Sequence, residues 1–85
     1  MSRYEKLLLQ VLRGTSDANI GFDDLRWLLF QLDFEERVRG SHHIFRRQGV
    51  EDKINLQREG NKAKPYQVRQ VRSIIVKYRL GGEEP

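Results

Sequence analysis

The stretch Gly40-Ser41-His42-His43-Ile44-Phe45-Arg46-Arg47 holds the only two histidines of the chain, flanked by Arg37, Arg39, Arg46 and Arg47. An imidazole gives or takes a proton near neutral pH without help from a metal. Breaking an RNA chain in that way needs a base for the 2′-hydroxyl, a proton donor for the leaving 5′-oxygen, and cations to hold the charge that gathers on phosphorus. A histidine among arginines has the residue types for all three tasks. Other chemistries fit less well. Adjacent histidines diverge and no third ligand is evident, so a metal site is a poor reading. Ser41 and His42, as neighbours along a strand, do not face each other as a nucleophile and its base must. The plain alternative is a solvated or hydrogen-bonded surface histidine at a strand end.

The elements that must position these residues follow from hydrophobic spacing. Tyr4, Leu7, Leu8, Val11 and Leu12 mark one face of a helix over Arg3–Arg13. Gly14 to Asn19 is turn chemistry. A second helix is expected over Phe22–Leu32 with Leu25, Leu28, Leu29 and Leu32 inward, and Asp23 and Asp24 suit its positive end. Trp27 lies off that stripe. The period then changes from 3.6 to 2, which predicts strands over Glu35–Arg39, His42–Arg47 and Lys53–Gln57, joined by Gly40-Ser41 and Gln48-Gly49. On such a strand His42 and His43 point to opposite faces, so only one can meet a substrate. Arg58 to Lys64 reads as an exposed basic loop. Pro65 opens a last helix whose apolar side is Val68, Val71, Ile74, Ile75 and Tyr78, with Arg69 and Arg72 on a separate stripe. Gly81-Gly82 is expected to stop it, leaving 83–85 as a disordered tail. Tyr66 and Tyr78 read as core or helix-edge residues rather than as platforms for bases.

Length and composition bound what such a site can be. The 85 residues make one small domain, with 38% hydrophobic and 33% charged residues, so a two-domain enzyme with a deep cleft is excluded. The chain has no cysteine, which removes disulfide scaffolds, thiolate zinc sites and thiol nucleophiles. No apolar run approaches the ~20 residues that span a bilayer, and Leu7–Leu12 is too interrupted for a secretory signal. The expectation is a cytoplasmic protein with no membrane partner. Charge is unevenly placed. Residues 1–34 carry four basic and five acidic side chains, whereas Arg37–Leu80 carries twelve Lys and Arg against three acids, a net of +9. Such a concentration attracts a polyanion, either nucleic acid or an acidic partner.

The expected architecture is α+β. Without its first helix it has the order α-β-β-β-α, the plan of the double-stranded-RNA-binding domain. Leu25–Phe34 with its Leu32-Asp33-Phe34 corner, the basic Arg37–Arg39, the Gly40–Arg46 element and the Lys64-Pro65 helix opening together resemble the HicA toxin family. These are small mRNA interferases of bacterial and archaeal toxin–antitoxin modules, and the likeness covers about residues 22–80. It implies a double-stranded-RNA-binding-like fold, cleavage of mRNA, no cofactor or metal, and a HicB-type antitoxin as partner. His42 matches the family's catalytic histidine, and Gly40 the glycine that lets backbone approach phosphate. Ser41, His43, Arg37, Arg39, Arg46, Arg47, Lys53, Arg58, Lys62 and Lys64 fall on the implied RNA-binding face, with Arg69 and Arg72 contributing at longer range.

Two departures from the family pattern stand out. Residues 1–20 form an additional helix and loop ahead of the HicA-like domain at 21–82, and the apolar stripe of that helix either covers the domain's own core or offers a homodimer contact. The third strand ends in Ile54-Asn55-Leu56-Gln57-Arg58, with no second histidine to act as general acid. A non-catalytic RNA- or DNA-binding module of the same fold is therefore the alternative reading. A basic domain that docks on an acidic protein is a third.

Overall fold

Ser2 opens the first regular element. In the computed structural model, which describes residues 2–81, its hydroxyl accepts the Glu5 amide at 3.1 Å while the Glu5 carboxylate accepts the Ser2 amide at 3.1 Å. This reciprocal cap satisfies donors that a helix start otherwise leaves free. Helix α1 (Arg3–Arg13) then runs to Gly14, whose φ of 73° is the left-handed conformation favoured at helix ends. Asp17–Asn19 form a single 3₁₀ turn. Helix α2 (Phe22–Gln31) carries Asp23 and Asp24 in its first turn, where the helix dipole favours negative charge. It ends one residue earlier than its leucine spacing predicts. Asp33 adopts φ 69° and the Phe34 amide donates back to the Leu29 carbonyl at 3.0 Å, so the chain turns sharply and Phe34 enters the core.

Three antiparallel strands follow as a meander, β1 (Glu35–Arg39), β2 (His42–Arg47) and β3 (Val50–Gln57), in the spatial order β1-β2-β3. Arg39 pairs with His42 across Gly40-Ser41. Gly40 takes φ 59°, at the position where a two-residue hairpin needs a glycine-like backbone. The third strand begins at Val50, three residues before its predicted start at Lys53. Glu51 and Asp52 have low strand propensity, but the tight Arg47–Val50 hairpin pairing carries the backbone through them. An irregularity between Phe45 and Arg47 then places extra β3 residues opposite β2.

Helix α3 (Pro65–Tyr78) starts on its proline as expected. The buried Gln67 stitches its first turn: its side-chain oxygen accepts the Lys64 amide at 3.2 Å and its side-chain amide donates to the Gln57 carbonyl at 3.2 Å. The helix ends at Tyr78, before the glycine pair predicted to stop it. Arg79 takes the left-handed conformation at φ 55°, and the Leu80 amide closes onto the Ile75 carbonyl at 2.9 Å. Gly82 and the expected tail at 83–85 lie outside the described residues.

The molecule is thus a small α+β domain of three helices and one three-stranded antiparallel sheet. Phe22, Leu25, Leu28 and Leu29 of α2, Phe45, Ile54 and Leu56 of the sheet, and Val68 and Val71 of α3 are fully buried together. Helix α1 packs on both α2 and α3, and its Leu7, Leu8 and Val11 belong to the same core. Each such side chain withdrawn from water contributes roughly 1.5–3 kcal/mol. The first helix is therefore integral to the domain, and the stripe that could have served a dimer faces the protein's own interior. Among the described residues no helix is long and apolar enough to cross a membrane.

Candidate nucleic-acid interface

Strand alternation sorts the sheet residues into two populations. Toward the helices point Glu36, His43, Phe45, Asp52, Ile54 and Leu56. Asp52 touches Lys77 and Tyr78 of α3, at 3.0 Å each. The opposite face has no helix over it. Its cross-strand rows are Arg39–His42–Gln57 and Arg37–Ile44–Asn55, with Glu35 opposite Arg46. A shallow depression of about 640 Å³ lies among Glu35, Glu36, Arg37, Arg39, Ile44, Arg46 and Lys53. Ile44 is the one apolar side chain in these rows, and no Phe, Tyr or Trp is among them.

His42 is exposed on this open face. Its Nδ1 lies 3.3 Å from Asn55 Oδ1. An amide oxygen only accepts, so the pair is hydrogen-bonded when Nδ1 carries the proton. The backbone beneath it is held by the Arg58 amide, which donates to the Ser41 carbonyl at 3.0 Å. The cations of this face form no ion pairs: Glu35 and Glu36 line the same depression, but among the described residues no carboxylate lies within 4 Å of Arg37, Arg39, Arg46 or Lys53. The field of this face is therefore available to a ligand.

His43, expected on the RNA-facing side, lies on the face of the sheet opposite to His42. It is 8% exposed and turned toward the helices, because it follows His42 on a strand. Its Nδ1–H donates to Glu36 Oε2 at 2.6 Å and its ring meets the Phe22 ring edge-on, centroids 5.1 Å apart. The same carboxylate takes both Arg26 Nε and Arg26 Nη2 at 2.7 Å. The Arg26 guanidinium first, and then His43, hold the Glu36 carboxyl below the usual carboxylate range, against the opposing effect of burial. Glu36 in turn raises Arg26.

Arg72 likewise does not reach the open sheet face. It donates to Asp17 Oδ1 at 2.9 Å and Oδ2 at 3.2 Å, and to the Val11 carbonyl at 3.0 Å, which fastens α3 to the end of α1 and the 3₁₀ turn. Arg58 pairs with Asp23 and lies over the Phe22 ring, 4.5 Å from its centroid. Its side chain thus leaves the open face although its backbone abuts Ser41. Lys64 pairs with Glu59, which keeps the lysine charged and the carboxyl low. Arg47 is half-buried at the far end of β2, Lys62 is exposed in the loop before α3, and Arg69 is exposed on α3. These three stand apart from the rows that contain His42. The structure therefore brings together Arg37, Arg39, Arg46 and Lys53 around the depression on the open face, with His42 opposite Arg39 at the end of the sheet next to the Gly40-Ser41 turn, and disperses the remaining candidates. Tyr66 is half exposed, while Tyr78 donates its hydroxyl to Asp52 at 3.0 Å.

Two contributors escape sequence reasoning. Asn55 alternates with Ile54 and Leu56, which places it on the open face, but its partner depends on register. Continuing the Arg47–Val50 pairing regularly would set Asn55 directly opposite His42. The irregularity slides β3 by two residues, so Gln57 takes that place and Asn55 reaches His42 diagonally. Glu36 reads as one more strand glutamate until α2 brings Arg26 against it. No group of three or more His, Asp or Glu that could hold a metal ion occurs among the described residues. No protein-family profile, curated protein or solved structure matches the chain.

Proposed function

We propose that this protein is an endoribonuclease of the HicA type, built on a double-stranded-RNA-binding-like fold, that cleaves mRNA without a metal and acts as the toxin of a toxin–antitoxin pair. The observation that carries the reading is a single exposed histidine, His42, on an uncovered sheet face whose arginines and lysine lack acidic partners. The α-β-β-β-α order after α1 supports the fold assignment. In the reaction, His42 takes the 2′-hydroxyl proton, the 2′-oxygen bonds to phosphorus, and the bond to the 5′-oxygen breaks. That oxygen leaves as a hydroxyl with a proton drawn from solvent, and a 2′,3′-cyclic phosphate remains. Arg37, Arg39, Arg46 and Lys53 hold the backbone phosphates and the charge that develops on them. With no Phe, Tyr or Trp to stack on and its cations in excess, the face suits phosphate more than base edges. The same resemblance makes a HicB-type antitoxin the partner that covers this face, in the cytoplasm of a bacterium or archaeon.

One observation favours a second reading, a non-catalytic nucleic-acid-binding module. The only other histidine is turned inward against Glu36, so no second imidazole faces the leaving oxygen. One experiment separates the two: the protein and its His42→Ala variant, each incubated with unstructured RNA in EDTA, products resolved on a gel. Cleavage by the first alone is expected. Equal cleavage by both removes His42 from the mechanism, and binding without cleavage by either establishes the binding module.

A further inference from the structure

We propose that Asn55 is a positioning residue that locks the His42 imidazole in its Nδ1–H tautomer and thereby makes Nε2 the base. The inference rests on the nuclease reading above and adds the atom that takes the proton. Its basis is the 3.3 Å approach of His42 Nδ1 to Asn55 Oδ1 on the open sheet face. Because Oδ1 can only accept, the contact is satisfied in the neutral ring solely when the proton sits on Nδ1. The lone pair is then left on Nε2, at the ring's outer edge. The same bond persists after Nε2 has taken the 2′-hydroxyl proton, since both nitrogens of the imidazolium donate.

The two histidines show why an amide serves here. His43 has a carboxylate on its Nδ1, an arrangement that adds charge as well as orientation. Around His42 the groups are Arg39 directly opposite on β1, Arg37 on the neighbouring row, and Gln57 and Asn55 on β3. No acid pairs with it among the described residues. Asn55 does not titrate, so it fixes the ring without weakening the positive field that a phosphate chain must feel. The contact depends on the two-residue slide of β3, which brings the amide to His42 along a diagonal that long side chains can span.

The test is a two-bond ¹H–¹⁵N spectrum of histidine-labelled protein without RNA, taken at a pH where His42 is neutral. Unmodified protein should show His42 with its proton on Nδ1. Asn55→Ala should shift it to Nε2–H, whereas Asn55→Asp, which keeps an acceptor oxygen, should retain Nδ1–H. The His43 signals, held by Glu36, should stay in place in all three and thereby report an intact fold. In RNA cleavage under EDTA, Asn55→Ala should lower kcat by about tenfold to a hundredfold with KM changed by less than about twofold, and Asn55→Asp should recover most of it. An Nε2–H ring in unmodified protein, or an unchanged tautomer in Asn55→Ala, overturns the assignment. The expected tautomers with no cleavage by any of the three proteins overturn the nuclease reading, and with it the role of Nε2 as a base.

Discussion

His42 and His43 are identical side chains one peptide apart, and their surroundings divide their roles. One meets solvent among unpaired cations; the other is buried between Phe22 and Glu36. Replacing each by alanine should therefore give opposite results. His42→Ala should lower RNA cleavage by about 10²–10⁴-fold, the range for loss of a general base, with an unchanged melting temperature. His43→Ala should cost about 1–3 kcal/mol of stability, because it removes a buried partner from a carboxylate, and leave residual activity in the folded fraction. Glu36 makes the fold sensitive to acid. Its carboxyl is depressed from the usual 4.5 by Arg26 and then His43, so its stabilising effect is complete above 4.5 and lost as pH falls through the lower folded value. Melting midpoints should drop with acidification below about pH 4.5, and Glu36→Gln should flatten that part of the curve. An unaltered acid slope in Glu36→Gln would show that the pair with Arg26 contributes nothing to it.

At the scale of elements, the boundaries legible in the sequence were those fixed by local chemistry. The Gly40-Ser41 turn and Pro65 each mark an edge that depends only on residues close by, and the structure places the edges there. The start of β3, the end of α3 and the register of Asn55 were not legible. Val50 is drawn into the sheet by pairing with Arg47. Arg79, not a glycine, takes the left-handed turn because Leu80 folds back onto Ile75. His43 could be assigned to a face only relative to His42, and Arg72 needed Asp17, which lies 55 positions away. Two substitutions test the elements. Gly40→Ala, at φ 59° with nothing within 4 Å of the added carbon, should destabilise the β1–β2 hairpin by about 1–2 kcal/mol through backbone strain alone. Arg72→Ala should cost about 1–3 kcal/mol in urea unfolding and leave RNA affinity within about twofold. A large loss of affinity at unchanged stability would return Arg72 to the interface.

For the whole molecule, the layers separate two tasks: the helices bury the core on one side of the sheet and the cations face outward on the other. If Arg37, Arg39, Arg46 and Lys53 each neutralise one phosphate of a single strand, log K should fall against log salt with a slope of roughly −3. Arg37→Ala with Arg39→Ala together should reduce that slope by about 1.4. A slope near zero would indicate that the face serves a different ligand.

The attachment of α1 has a consequence for the order of events during folding. Arg72 grips the Val11 carbonyl across a separation of 61 residues, whereas the β1-β2-β3 meander is closed by two-residue turns. Short-range pairings form early and distant ones late, because closing a long loop costs chain entropy before any contact returns it. The contact of α1 with α3 is thus expected to form after its contact with α2, which closes over a much shorter loop. Stopped-flow measurements on Arg72→Ala should show faster unfolding at a nearly constant refolding rate.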